Sequence, residues 1–150
     1  MINLRNRSYQ KELMDGDDIP FGAMAQTLKE LNIVNTRLGG HAITLSGVQY
    51  LLEGKEPVCI CEIGCGGGDN LFAIHKYCLK KNIPAQFIGI DMNPECIAFA
   101  QQQYPQLHCE WICSDYALVN FENKKPHIVF SSLFCPGSRS EERRVGKECR

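Results

Sequence analysis

Cys59-Ile60-Cys61-Glu62-Ile63-Gly64-Cys65-Gly66-Gly67-Gly68-Asp69 is an apolar run that ends in glycines and leads into a helix-length segment. A short, nearly continuous apolar stretch bounded by glycine reads as a buried strand, so the segment predicts strand, tight loop and helix in succession. Glycine serves such a loop in two ways. The turn takes backbone angles closed to other residues, and a missing Cβ lets a ligand come against the main chain. Gly64, Gly66 and Gly68 hold the alternate positions. In an open α/β sheet a corner of this kind lies at the carboxyl ends of the strands, where ligands bind.

Working outward, short apolar runs alternate with helix-length segments, the pattern of βαβ units feeding a parallel sheet. Strands are expected at 58–63, 87–91, 108–113 and 127–131. Between them fit a helix over 69–81, with Leu71, Ile74 and Cys78 on one face, a helix over 94–102 that starts at Pro94, and a less regular link over 116–125. Upstream, Met24, Leu28, Leu31 and Leu38, with Asn35 on the same seam, predict an amphipathic helix over 21–38 that stops at Gly39-Gly40. A second helical pattern groups Leu45, Val48, Leu51 and Leu52. The fold class is α/β, a doubly wound, mostly parallel sheet behind N-terminal helices.

The 150 residues are 44% hydrophobic and 22% charged, as in an ordinary globular domain. That length buries a full core without disulfides, so the nine cysteines are not needed as staples. Arg5, Arg7, Lys11, Glu12, Asp15, Asp17 and Asp18 leave no apolar export segment near the start, and a cytoplasmic location is expected. No run reaches the roughly 18 apolar residues of a membrane span, and a net charge of -1 makes no case for nucleic acid or anionic lipid. Neither a membrane nor a nucleic-acid partner is expected; a small molecule is.

A dinucleotide site would also place glycines at this corner and an acid at the end of the second strand. Its G-x-G-x-x-G/A pattern, however, needs a small residue where Asp69 stands. Asp69 suits a helix N-terminus but competes there with a phosphate. Glu62, a carboxylate at the strand tip, adds to the conflict with a pyrophosphate and suits an ammonium and a sulfonium instead. The residues favour a cationic nucleoside, with a nicotinamide-dependent oxidoreductase as the alternative.

Glu62-Ile63-Gly64-Cys65-Gly66-Gly67-Gly68 resembles the E/D-x-G-x-G-x-G motif of class I S-adenosylmethionine-dependent methyltransferases, whose fold is Rossmann-like. Phe87-Ile88-Gly89-Ile90-Asp91 is similar to that family's second strand, whose terminal acid binds the ribose diol. Asp91 follows Gly68 by 23 residues, near the roughly 20 expected of such an acid. A helix-capping role ahead of Pro94 is its other reading. Cys113-Ser114-Asp115-Tyr116 resembles the end of the third strand, where an acid accepts the adenine amino group; Asp115 also suits a helix N-cap. The resemblance thus implies S-adenosylmethionine as cofactor, held by Glu62, Gly64, Cys65, Gly66, Gly68, Asp69, Asp91, Met92, Ser114, Asp115 and Tyr116. His127 stands where many relatives carry an acid and reads as a loop or capping residue. No side chain is identified as the catalytic base.

Glu12-Leu13-Met14-Asp15, Leu31-Asn32-Ile33-Val34-Asn35 and Gly39-Gly40 are similar to bacterial methyltransferases associated with type III polyketide synthases. In that group the N-terminal helices cover the cofactor and shape the acceptor pocket, which implies O-methylation of a phenolic, polyketide-type acceptor. A non-catalytic S-adenosylmethionine-binding protein would share the same residues. The resemblance runs from about Glu12 to Phe134.

Cys59 and Cys61 fall within a strand and Cys65 within the loop, so they read as small packing residues, as do Cys109 and Cys113 around Trp111; no metal site is expected. His41, His75, His108 and His127 share no spacing. Eight of the last twelve residues are charged, and Arg139-Ser140-Glu141-Glu142-Arg143-Arg144-Val145-Gly146-Lys147-Glu148-Cys149-Arg150 resembles translated sequencing-adapter read-through. The expected organisation is a helical segment over 1–56, a partial cofactor domain over 57–136 truncated after about the fourth strand, and a non-native tail over 137–150. As written, the chain is expected to be an inactive fragment.

Overall fold

The computed structural model describes residues 20–52, 57–121 and 124–132. The Glu12–Asp15 motif, the end of the resemblance near Phe134 and the charged tail lie outside them. Helices α1 (Phe21–Arg37) and α2 (Gly40–Leu52) precede β1 (Val58–Ile63), α3 (Asp69–Lys80), β2 (Ala85–Asp91), α4 (Pro94–Gln103), β3 (Cys109–Cys113) and β4 (Ile128–Phe130). All strand pairs are parallel and the order is β3-β2-β1-β4. This is the α/β parallel sheet behind N-terminal helices that the alternating pattern predicts, and it agrees with the Rossmann-like fold that the resemblance implies.

Local chemistry sets the element ends. Gly39, at φ +84°, stops α1, and its carbonyl accepts the Ile43 N–H to begin α2. Asn93 caps α4 by accepting the Glu95 N–H at 2.9 Å, and Pro94 takes the first turn, where no donor is needed. The cap on α4 is therefore Asn93 and not Asp91.

Strand alternation divides the core between the two faces of the sheet. Val58, Ile60, Phe87 and Ile128 pack with Val48 and Leu52 of α2, Leu71, Ile74 and Cys78 of α3, and Ile97 of α4. Cys59, Cys61, Ile88 and Ile90 form a cluster on the opposite face, with Tyr116, Val119 and Phe121 packed against it. Met24 and Leu28 of α1 meet Cys96 and Phe99 of α4 in a third cluster.

Several sequence expectations need correction. Leu38 is 79% exposed because α1 has already ended, and Leu51 points outward beside buried Leu52. The link after β3 forms only a single 3-10 turn at Tyr116–Leu118, with Leu118 exposed, so no helix spans the described part of 116–125. Cys109 is half-buried and Cys113 exposed, since β3 is the sheet edge among the described residues. The fourth strand starts one residue later than expected, and His127 lies in the loop before it, as its loop or capping reading has it: its N–H donates to the Cys59 carbonyl at 2.8 Å and its Nδ1 accepts the Cys59 N–H at 2.9 Å.

Candidate functional site

Chain order reverses at β1, which has β2 on one side and β4 on the other. The carboxyl ends of β1 and β4 therefore form the switch point at which open α/β sheets bind ligands. Glu62 ends up there, fully buried. Its Oε1 accepts from Ser132 Oγ at 2.8 Å and Asn70 Nδ2 at 3.1 Å, while Oε2 has no partner. Burial pushes the carboxyl up to about 8, against the pull of the Ser132 and Asn70 hydrogen bonds and with a further push from Asp69 and Asp91.

Beyond Glu62 the chain bends through Gly64, Gly66 and Gly68, at φ +69°, +51° and +79°. The Gly64 and Cys65 N–H groups donate to the Ile90 carbonyl at 2.8 and 3.0 Å, which ties the loop to β2. Space at Gly68 serves the fold: a Cβ there would lie 2.5 Å from the Trp111 ring. Gly89 gives the same ring room, at 2.6 Å from a Cβ, a role the sequence reading missed. A glycine inside a strand beside a tryptophan strand was the available signal. Cys65 is buried, and desolvation raises its thiol far above the ordinary range, so it packs rather than reacts.

Asp91 Oδ2 accepts the Gly66 N–H at 2.8 Å and Oδ1 accepts the Asn93 N–H at 2.9 Å. Ser114 N–H donates to the Asp91 carbonyl at 3.0 Å, which brings the end of β3 alongside. Asp115 accepts the Ala117 N–H at 3.0 Å, the capping role, and Tyr116 is half-buried against the sheet. Met92 is 71% exposed. Asp69 opens α3 and accepts from Asn35 Nδ2 at 3.2 Å, with His41 Nε2 at 3.4 Å. The structure thus gathers Glu62, the glycine loop, Asp69 and Asp91 at one corner and sets Met92, Ser114, Asp115 and Tyr116 along its β2–β3 side.

Asn70, Ser132 and His41 are the partners sequence reasoning missed; each is polar, small or isolated, and no motif marks it. Glu62, the glycine loop, Asn70 and Ser132 line a cavity of about 50 Å³, and Leu28 of α1 forms part of its wall. Leu28 also borders a neighbouring cavity of about 280 Å³ between α1 and α4, with Phe99 and Tyr104. Glu62 Oε2, buried and without a partner beside a loop of left-handed glycines, fits a ligand that brings its own hydrogen-bond donor. Among the described residues no group of three His, Cys, Asp or Glu could hold a metal ion, and no helix is long and apolar enough to cross a membrane.

The fold matches solved structures. The plantazolicin methyltransferase BpumL, in complex with S-adenosylhomocysteine, superposes with a TM-score of 0.54 at 24% identity, over 74% of this chain and 46% of its own. A Listeria monocytogenes protein assigned to the class I S-adenosylmethionine-dependent methyltransferases gives 0.56 at 19%, over 89% and 46%. One from Methanococcus maripaludis, assigned to the S-adenosylmethionine-dependent methyltransferases, gives 0.55 at 14%, over 77% and 52%. The chain spans about half the length of each. No curated protein matches it. The family model for the methyltransferase domain matches residues 60–150, more than half of the chain, and so takes in the tail that the sequence reading set apart. The chain belongs to the methyltransferase-domain family.

Proposed function

We propose that this corner binds S-adenosylmethionine and that the protein transfers its methyl group to a small molecule, with the phenolic oxygen of a polyketide-type acceptor as the finer reading. When bound, the cofactor supplies an electrophilic methyl on a sulfonium. Glu62 Oε2, the one buried side-chain oxygen or nitrogen without a partner among the described residues, carries the proposal. An ammonium beside it would meet a charge-assisted acceptor, whereas a pyrophosphate would meet a carboxylate. Asp91 keeps a lone pair on each oxygen for the ribose diol, and the Gly66 and Asn93 N–H groups hold it in place. Asp115, Ser114, Tyr116 and Met92 are the proposed surroundings of the base.

A cavity of about 50 Å³ is far below the roughly 300 Å³ of an ordinary small-molecule pocket, so Leu28 and its turn of α1 have to give way on binding. A reducing, cytoplasmic and bacterial setting belongs to the same proposal; the described cysteines are free thiols and most are buried. So does the inactivity expected of the 150-residue chain. Thermal unfolding with each ligand tests the cofactor assignment. S-adenosylhomocysteine is expected to raise the melting temperature and NAD to leave it unchanged; stabilisation by NAD alone would replace this reading with the oxidoreductase. Methyl transfer by the chain itself would refute its inactivity.

A further inference from the structure

His41, on α2, is the link between the N-terminal helices and Glu62. Its Nδ1 lies 2.8 Å from Asn70 Oδ1. The Asn70 amide has its sense set from the other side, because Nδ2 donates to Glu62 Oε1 at 3.1 Å and to Ser132 Oγ at 2.7 Å. Glu62 Oε1 already accepts the Ser132 hydroxyl, so a reversed amide would set a carbonyl oxygen against an accepting oxygen whether Glu62 is ionised or carries its proton on Oε2. Oδ1 therefore faces His41, and an N–H at Nδ1 satisfies it. Across the ring, Nε2 lies 3.1 Å from Asn32 Oδ1 on α1 and 3.4 Å from Asp69 Oδ2 on α3. The ring bridges three helices, with an oxygen within 3.1 Å of each ring nitrogen.

We infer that His41 is a positioning residue for recognition of the cofactor's amino group. By donating to Asn70 Oδ1 it holds the amide in this sense from behind, so that the Asn70 and Ser132 hydrogen bonds both stay on Glu62 Oε1 and Oε2 is left for the cation. The inference rests on the reading that this corner takes S-adenosylmethionine, and it assigns α2 to the amino-acid end of the ligand and not to the nucleoside.

The test is competition binding on the full chain with two probes: S-adenosylhomocysteine, which carries the amino group, and 5′-methylthioadenosine, which has the nucleoside and no amino-acid end. His41→Phe is expected to weaken the first about tenfold and leave the second unchanged. His41→Asn, whose amide N–H can stand where Nδ1 stands, is expected to recover most of that loss. Equal loss of both ligands, or loss of neither, overturns the inference. If His41→Phe does not fold, Asn70→Ala breaks the same link, and an unchanged ratio of the two affinities there overturns it equally. A wild-type chain that binds neither probe refutes the cofactor reading itself, and this inference with it.

Discussion

The Gly66 N–H donates to Asp91 Oδ2 at 2.8 Å, across 25 residues of sequence. The acid at the end of β2 therefore builds the glycine loop before any ligand arrives, and through Oδ1 it also holds the turn into α4. Asp91→Ala leaves two N–H groups without their charged acceptor. The variant is expected to lose about 2 kcal/mol of ligand-free stability as well as cofactor affinity. Urea unfolding without ligand checks this; an unchanged midpoint would make Asp91 a ligand contact only.

Trp111 lies against both Gly68 and Gly89, yet the two glycines are held for different reasons. A Cβ at Gly89 meets the indole ring at 2.6 Å and Cys65 Sγ at 3.1 Å, whereas one at Gly68 meets the ring at 2.5 Å and Ala100 Cβ at 3.3 Å and also sits on a left-handed backbone at φ +79°. Each substitution is expected to destabilise the chain by about 1–3 kcal/mol. In a Trp111→Ala background most of the Gly89→Ala cost should be relieved, leaving the Cys65 Sγ contact, while about 1 kcal/mol more of the Gly68→Ala cost should persist from its backbone. Equal relief at both positions would remove the backbone contribution.

Glu62 gives the stability a pH dependence of definite sign. Desolvation raises its carboxyl from an ordinary 4.5 to about 8, so between those values the folded chain holds the proton that the unfolded chain has lost. Its stabilisation is complete below about pH 4.5 and declines as pH rises through 8. Glu62→Gln is expected to flatten this decline and to melt above the wild type at pH 9. A parallel pair of melting profiles would show that Glu62 ionises as freely in the folded chain as in the unfolded one.

Much of the corner was legible because its signals are local. The glycine loop, the strand before it and the buried face of α3 each occupy one continuous stretch, and periodicity places them. What the sequence could not show is which distant side chains close around Glu62: Ser132 is 70 residues away and His41 reaches it through Asn70. The link after β3 carries a weak pattern for a related reason: Leu118 is 79% exposed, so little apolar burial is there to repay a longer helix. Cys113 was misjudged because alternation tells which face a residue takes, not whether its strand is at the edge.

Isothermal titration of S-adenosylhomocysteine into the full chain at pH 7, run in two buffers of different ionisation enthalpy, tests the central claim most directly. Saturable binding is expected with release of protons, because the ligand's ammonium meets Glu62 as a carboxylate where the free chain holds it protonated. Proton release should disappear in Glu62→Gln. Absence of saturable binding by S-adenosylhomocysteine, with NAD binding in its place, would contradict the claim.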